Sequence, residues 1–408
     1  MEILQVNHPT KRVRATIPLA SSKSESNRAL IIQALSGNKI HLANLSEARD
    51  TQTLIKLLNS KEEVLDVIDA GTTMRFLTAY CAVTNRKCIL TGTERMKQRP
   101  IKILVDALLE LGADIEYVES EGFPPLRIKG FEQKKNEISI KGDVSSQFIS
   151  ALLMVAPILP MGLKLTLLGE VASRPYIEMT LELMKYFGIE YIWHWNEIVV
   201  EHQAYKPKIY AIESDWSGAS YWYSIAALAE EAEITLLGLR KDSLQGDSVI
   251  IKLMEHFGVS TDTVEGGVIL RRKPVQDKEF EFDFTHCPDI AQTIAVLCAA
   301  RGIPARLSGL RSLRIKETDR IAALENELGL LGVHIVVEGD DSIIIPRSKI
   351  NFEHPRIHTY EDHRMAMAFA PLGLLHEVLI EDPRVVVKSY PAFWRHLETA
   401  GFELTLRD

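Results

Sequence analysis

Six polar starts, each running into an apolar helical stretch, constrain this chain more than any other feature. Ser24-Glu25-Ser26-Asn27-Arg28 leads into Ala29-Leu30-Ile31-Ile32, and Thr72-Thr73-Met74-Arg75 into Phe76-Leu77-Thr78-Ala79. Ser146-Gln147 leads into Phe148-Ile149-Ser150-Ala151, and Ala219-Ser220 into Tyr221-Trp222-Tyr223-Ser224. Asp289 leads into Ile290-Ala291-Gln292-Thr293, and Asp362-His363-Arg364 into Met365-Ala366-Met367-Ala368. The starts stand at 24, 72, 146, 219, 289 and 362, so the spacing is 48 once and then 74, 73, 70 and 73. A fixed period of this size marks a repeated supersecondary unit that buries its apolar face against its neighbours.

A second marker keeps the same period. Amphipathic helical runs end at Gly112, Gly188, Gly258, Gly332 and Gly401. A glycine just past a helix is the usual left-handed cap. Short β-rich runs follow, such as Leu126-Arg127-Ile128, Ile198-Val199-Val200, Val268-Ile269-Leu270 and Ile343-Ile344-Ile345. Each unit therefore reads as helix, strands, helix, strands, and six units make two pseudo-symmetric halves of three. The polar-start helices are apolar on nearly every face and belong inside, while the Gly-ended ones carry a charged face and lie nearer solvent. Parallel inner helices would gather their N-termini at one end of each half. Such ends attract anions through free N–H groups and the helix dipole. A cleft between two halves, lined by positive helix ends and holding anionic ligands, is the expected site.

Composition agrees with an ordinary globular protein. At 408 residues the prior is two to three domains, and 46% hydrophobic with 25% charged residues excludes disordered, collagenous and coiled-coil chains. A net charge of −8 argues against a nucleic-acid-binding role, which needs a basic face. Cys81, Cys88, Cys287 and Cys298 form no C-x-x-C, and no H-E-x-x-H is present, so inert thiols in a reducing compartment and no metal are expected. The N-terminus shows no signal-peptide pattern. The longest apolar run, from Phe148 to Leu163, holds Pro157 and Pro160 and is too short to span a bilayer, so a buried helix leaving through a turn is expected. A cytoplasmic protein follows from these signs.

The polar segments hold the chemistry. Lys23, Ser24 and Arg28 flank the first inner helix, and Asp69-Ala70-Gly71-Thr72-Thr73-Met74-Arg75 opens the second. Arg95-Met96-Lys97-Gln98-Arg99-Pro100 precedes a Gly-ended helix, and Ser145-Ser146-Gln147 opens the third inner one. Arg314-Ile315-Lys316-Glu317-Thr318-Asp319-Arg320 and Asp362-His363-Arg364 complete the set. Taken singly, each has an ordinary explanation: a solvated lysine, a helix cap, or a surface ion pair between Glu317 and Arg320. Their recurrence at equivalent positions of the repeat favours function. Guanidinium forks match phosphate and carboxylate oxygens, and hydroxyls at a glycine-backed turn add neutral donors. The chain lacks G-x-x-x-x-G-K-[ST], G-x-G-x-x-G and G-x-S-x-G, which leaves acid–base chemistry with electrostatic clamps.

These residues resemble the 5-enolpyruvylshikimate-3-phosphate synthase family. The likeness rests on Ser22-Lys23-Ser24-Glu25-Ser26-Asn27-Arg28-Ala29, Ala70-Gly71-Thr72-Thr73-Met74-Arg75, the Arg95–Pro100 segment and Val144-Ser145-Ser146-Gln147-Phe148. Ser173-Arg174-Pro175-Tyr176, Arg314 to Arg320, Asp362 to Met367 and Lys388-Ser389-Tyr390-Pro391 continue it, in order, over nearly the whole chain. The resemblance implies an α/β (α+β) fold of two pseudo-symmetric domains, each of three βαβαββ repeats in an inside-out α/β barrel, with the active-site cleft between them. The first domain would run over 20–212, and 1–19 would join 213–408 in the second. It implies transfer of the enolpyruvyl group of phosphoenolpyruvate to the 5-hydroxyl of shikimate 3-phosphate, without metal or cofactor, by a monomer.

Site residues carry over by position. Lys23, Ser24, Arg28, Ser145, Ser146, Gln147, Ser173, Tyr176, Asp289, Ser312 and Lys316 match the shikimate 3-phosphate site. Lys23, Gly71, Arg99, Gln147, Arg320, Arg364 and Lys388 match the phosphoenolpyruvate clamp. The catalytic positions implied are Asp289, Glu317 and Lys23: Asp289 matches the carboxylate that takes the hydroxyl proton, and Glu317 the acid that protonates C3. Three positions depart from the family pattern. Asp69 stands where Asn is common, Thr73 where Ala is frequent, and Ser312 where Asn often contacts the acceptor. A carboxylate at Asp69 would repel an anion unless paired or protonated. The short stretch from Asn59 to Ile68 matches the single spacing of 48. The alternatives are a UDP-N-acetylglucosamine enolpyruvyl transferase, which usually carries a loop cysteine, and a non-catalytic anion-binding protein on the same scaffold.

Overall fold

Each polar start falls in or just ahead of a helix, although the helix Trp216–Leu228 begins ahead of Ala219-Ser220, and Asp289 sits in a short turn before the helix Ala291–Arg301. In a computed structural model describing residues 2–143 and 145–407, the helices are α1 (Lys23–Leu35), α2 (Arg49–Asn59), α3 (Gly71–Val83), α4 (Glu94–Lys97), α5 (Lys102–Leu111), α6 (Ser146–Val155), α7 (Arg174–Tyr186), α8 (Trp216–Leu228), α9 (Ile250–His256), α10 (Ala291–Arg301), α11 (Arg320–Leu330), α12 (His363–Phe369) and α13 (Phe393–Thr399). Ser22 Oγ accepts from Glu25 N at 3.3 Å, Asp215 from Gly218 N at 3.2 Å and Asp362 from Arg364 N at 2.8 Å, satisfying donors that a helix start leaves open. The five marker glycines all adopt positive φ. At Gly112 a Cβ would also lie 1.9 Å from the Glu132 carbonyl oxygen, so only glycine closes α5 there.

The chain forms two compact units, Ser22–Ile212 and Met1–Ser21 with Glu213–Asp408. In both, the helices that begin at polar starts are buried. α8 buries every residue from Trp216 to Ala227, and α10 every residue from Ala291 to Ala299. α5 buries Leu104, Val105, Ala107, Leu108 and Leu111 and exposes Asp106 and Glu110. Inner-helix N-terminal turns lie side by side within each unit. Asn27 Nδ2 donates to Thr72 Oγ1 at 2.7 Å and Arg28 Nη2 to Ser150 Oγ at 3.1 Å. In the other unit Ser220 and Thr293 hydroxyls meet at 3.0 Å, and Gln292 Nε2 donates to Met365 Sδ at 3.0 Å. Neighbouring inner helices thus meet through their N-terminal halves.

A complete repeat is βαβαββ. Val64–Asp66 leads through α3 to the parallel Cys88–Thr91, then α5, then Ala113–Tyr117 and Leu126–Phe131, which returns antiparallel beside Cys88–Thr91. Among the described residues, five sheets have four strands and one has two. The exception falls in the unit with the single spacing of 48. Ile209–Ala211 pairs in parallel with His41–Ala43, and α2 then runs on to Val64–Asp66 without a returning strand pair. That missing pair is the physical reason for the spacing of 48.

The chain also reaches its repeats out of order. Arg12–Pro18 pairs in parallel with Glu231–Leu237 and opens the repeat built on α8 and α9. Ile3–Asn7 lies between Val378–Glu381 and Glu403–Arg407 and closes the last repeat. The run from Phe148 is α6 followed by a 3-10 turn at Ala156–Ile158, and among the described residues no helix is long and apolar enough to cross a membrane. Cys81 sits in α3 and Cys88 in a strand, and all four thiols are buried and free.

Candidate active site

The predicted site residues fall into two sets, one in each unit. In the Ser22–Ile212 unit, Lys23 is the first residue of α1, and its Nζ meets Asp50 Oδ2 at 3.0 Å. Ser24 is half-buried on the same turn and lends its carbonyl to Arg28 Nη1 at 2.9 Å. Arg28 is enclosed at 1% exposure, and its Nε donates to Thr180 Oγ1 at 2.7 Å. Its guanidinium lies 5.5 Å from the Phe76 ring centroid and 5.8 Å from that of Tyr176. Burial pulls its pKa down to about 10, against the opposing pull of Tyr176 and Glu25. Ser145 caps α6, Ser146 and Gln147 form its first turn, and Val144 lies outside the described residues. Ser173 precedes α7 at φ 53, a left-handed conformation uncommon without glycine.

Gly71 opens α3 directly beneath Arg99. The Arg99 side chain is 7% exposed, and its Nη1 donates to the Asp69 carbonyl at 3.4 Å. Asp69 itself is paired, because both its carboxylate oxygens accept from Arg49 Nη2, at 2.8 and 2.9 Å. That pair removes the repulsion which an unpartnered carboxylate would bring. Thr73 is fully buried and donates to the Asp50 carbonyl at 3.3 Å, so it serves the packing between α2 and α3.

The second unit concentrates charge. Asp289 precedes α10, and Arg364 Nη2 meets its Oδ2 at 2.9 Å, while Arg320 Nη1 and Lys316 Nζ approach its Oδ1 at 3.4 and 3.9 Å. Glu317 lies 2.9 Å from Arg320 Nη2 and 3.6 Å from Lys388 Nζ. Behind them Asp362, fully buried, accepts from Arg320 Nε at 2.7 Å. Four cations thus surround three carboxylates. Burial opposes the charge on Arg320, but Asp362, Glu317 and Asp289 outweigh it and hold its pKa above the ordinary value. Arg364 is held up in the same way, chiefly by Asp289. Ser312 sits half-buried in the 3-10 turn Arg311–Ile315, just ahead of Lys316. Among the described residues no group of three or more His, Cys, Asp or Glu side chains is placed to hold a metal.

Three participants escaped sequence reading as site residues. Asp50 and Arg49 look like ordinary charges opening a helix, and their partners lie at positions 23 and 69. Asp247 follows Gln245-Gly246 with no periodic signal, yet it is fully enclosed and hydrogen-bonded by Ser217 Oγ. Burial, then the negative charge of Asp289, pushes its pKa up to about 7, against the Ser217 hydrogen bond and Arg364. A carboxyl raised in the folded state lends stability below its unfolded pKa, and loses it as pH climbs through the folded value. Asp247→Asn should therefore melt a few degrees above the parent at about pH 8, with the advantage vanishing near pH 4. Equal melting curves at both pH values would contradict the raised pKa.

With this geometry in place, the comparisons decide the family. A family model described as EPSP synthase (3-phosphoshikimate 1-carboxyvinyltransferase) matches residues 54–397. The chain belongs to the EPSP synthase family. A 3-phosphoshikimate 1-carboxyvinyltransferase from Bacteroides fragilis (strain YCH46) is 51% identical over 395 residues, covering 96% of each chain. One of that name from Mannheimia succiniciproducens is 36% identical, over 95% of this chain and 96% of its own. Among solved structures, an EPSP synthase from Acinetobacter baumannii superposes with a TM-score of 0.78 at 20% identity, covering all of both chains. The enolpyruvyl transferase NikO from Streptomyces tendae gives 0.74 at 12% identity, over 100% of this chain and 99% of its own. The two-domain α/β fold of EPSP synthases is thus the fold of this chain.

Proposed function

We propose that this enzyme transfers the enolpyruvyl group of phosphoenolpyruvate to the 5-hydroxyl of shikimate 3-phosphate and releases phosphate, a step towards chorismate and the aromatic amino acids. The observation that carries the reading is the pair of carboxylates, Asp289 and Glu317, sharing Arg320 within a cluster where cations predominate. Asp289 takes the proton of the 5-hydroxyl as its oxygen adds to C2 of phosphoenolpyruvate. Glu317 delivers a proton to C3. The resulting tetrahedral intermediate then loses phosphate, which carries off the proton taken up by Asp289, and returns a C3 proton to Glu317, restoring the double bond. The cations hold the leaving phosphate and the carboxylate in place, so the acid and base act on a fixed geometry.

Shikimate 3-phosphate is assigned to Lys23, Ser24, Arg28, Ser145, Ser146, Gln147, Ser173, Tyr176, Ser312 and Lys316. Phosphoenolpyruvate is assigned to Lys23, Gly71, Arg99, Gln147, Arg320, Arg364 and Lys388. Action as a monomer in the cytoplasm, without metal or cofactor, completes the proposal.

Phosphate release from phosphoenolpyruvate, measured in EDTA with and without shikimate 3-phosphate, tests the reading. Release only with shikimate 3-phosphate is expected. Release only with UDP-N-acetylglucosamine would overturn the acceptor assignment, and none with either would leave a binding protein.

Gly71 offers a sharper check on the clamp. A Cβ there would lie 2.8 Å from Arg99 Nη2 and 3.1 Å from Cζ. Gly71→Ala should displace the guanidinium and raise KM for phosphoenolpyruvate about tenfold, with a smaller change in kcat. An unchanged KM would remove Arg99 from the clamp.

A further inference from the structure

We propose that Arg49 is a positioning residue for phosphoenolpyruvate: it captures the Asp69 carboxylate and so leaves the Arg99 guanidinium available to the substrate. The inference rests on the function proposed above. Asp69 stands two residues before Gly71, and its backbone carbonyl already touches Arg99 Nη1 at 3.4 Å. A carboxylate carried on that residue has two outcomes. It can turn to the nearest cation and compete with the incoming anion, or another cation can take it. In this chain Arg49 Nη2 takes both oxygens, at 2.8 and 2.9 Å.

The pair has a place in the fold that suits this role. Arg49 is the first residue of α2, and Asp50 beside it receives Lys23 Nζ at 3.0 Å. One helical turn therefore sets two groups of the anion site, with a cation directed at Asp69 and a carboxylate at Lys23. The Arg49 side chain remains 41% exposed and that of Asp69 24%. An ion pair so exposed adds little to folding stability. Its consequence belongs to ligand binding, where an uncompensated negative charge acts on an anionic substrate.

The test is a cycle of Arg49→Ala, Asp69→Asn and the double variant. Phosphoenolpyruvate KM and kcat come from phosphate release at saturating shikimate 3-phosphate. Calorimetric titration of phosphoenolpyruvate in the presence of shikimate 3-phosphate gives its Kd. Arg49→Ala should raise KM and Kd about fivefold or more at low salt, with kcat and melting temperature within error of the parent. The double variant should return to within about twofold of the parent, because removing the carboxylate removes the need for its partner. The Arg49→Ala penalty should also shrink at high ionic strength, which a packing defect would not do. A parental Kd in Arg49→Ala, or a double variant as weak as the single one, would overturn the proposal. Absence of acceptor-dependent release in the parent would defeat the functional reading instead, and the calorimetric cycle would still decide the role of the pair.

Discussion

Glu317→Gln should lower kcat by about 100- to 10,000-fold while leaving the binding of both substrates close to the parent. The substitution keeps side-chain size and an acceptor oxygen for Arg320, which lies 2.9 Å away. It removes the ability to carry a proton, together with the negative charge that faces Arg320 and Lys388. Stopped-time phosphate release gives kcat, and calorimetric titration gives the two affinities. Loss of affinity in parallel with turnover would mean that Glu317 holds the cluster together rather than moving a proton. Retained turnover would return the chain to the class of anion-binding scaffolds.

Asp362→Ala should destabilise the fold by about 3–5 kcal/mol, the range for removing one partner of a buried ion pair. Arg320 is 1% exposed and Asp362 fully buried, and they meet at 2.7 Å. Asp362 also caps α12 by accepting from Arg364 N at 2.8 Å. Its loss therefore leaves a buried guanidinium short of its closest counter-charge and unpins a second arginine of the clamp. Urea denaturation of parent and variant gives the difference directly. A loss below about 1 kcal/mol would mean that Glu317 and Asp289 alone satisfy Arg320. The sequence motif Asp362-His363-Arg364 thus couples stability and chemistry through one carboxylate.

What could be read from the chain divides along a physical line. Signals confined to a few neighbouring residues were legible. Ser145 and Asp362 cap helices because their side chains reach donors two residues on, and Gly112 and Gly258 end helices because the backbone there turns left-handed. The α2 helix escaped because it ends at Ser60 in an extended conformation, without the glycine that marked the others. The resemblance put 1–19 with the second half, but the partners of Arg12–Pro18 and Ile3–Asn7 could not be read, since a strand carries no record of which distant strand it will pair with. The same limit hid Arg49 and Asp50 at the site. Their chemistry depends on partners at 69 and 23, which only the packing of α1, α2 and α3 brings near. The Asp69 departure was visible as a charge out of place, and the structure supplies its partner.

The strand Ile3–Asn7 draws its hydrogen bonds from Val378–Glu381 and Glu403–Arg407. During translation, then, Ile3–Asn7 leaves the ribosome long before Glu403–Arg407 emerges and completes its pairing. The Ser22–Ile212 unit has all its strands once Ala211 has emerged, and it can fold while synthesis continues. The nascent protein should pass through a long interval with one half finished and a hydrophobic first strand, including Leu4 and Val6, still without partners. Chaperone dependence of this chain should therefore fall once Glu403–Arg407 has emerged.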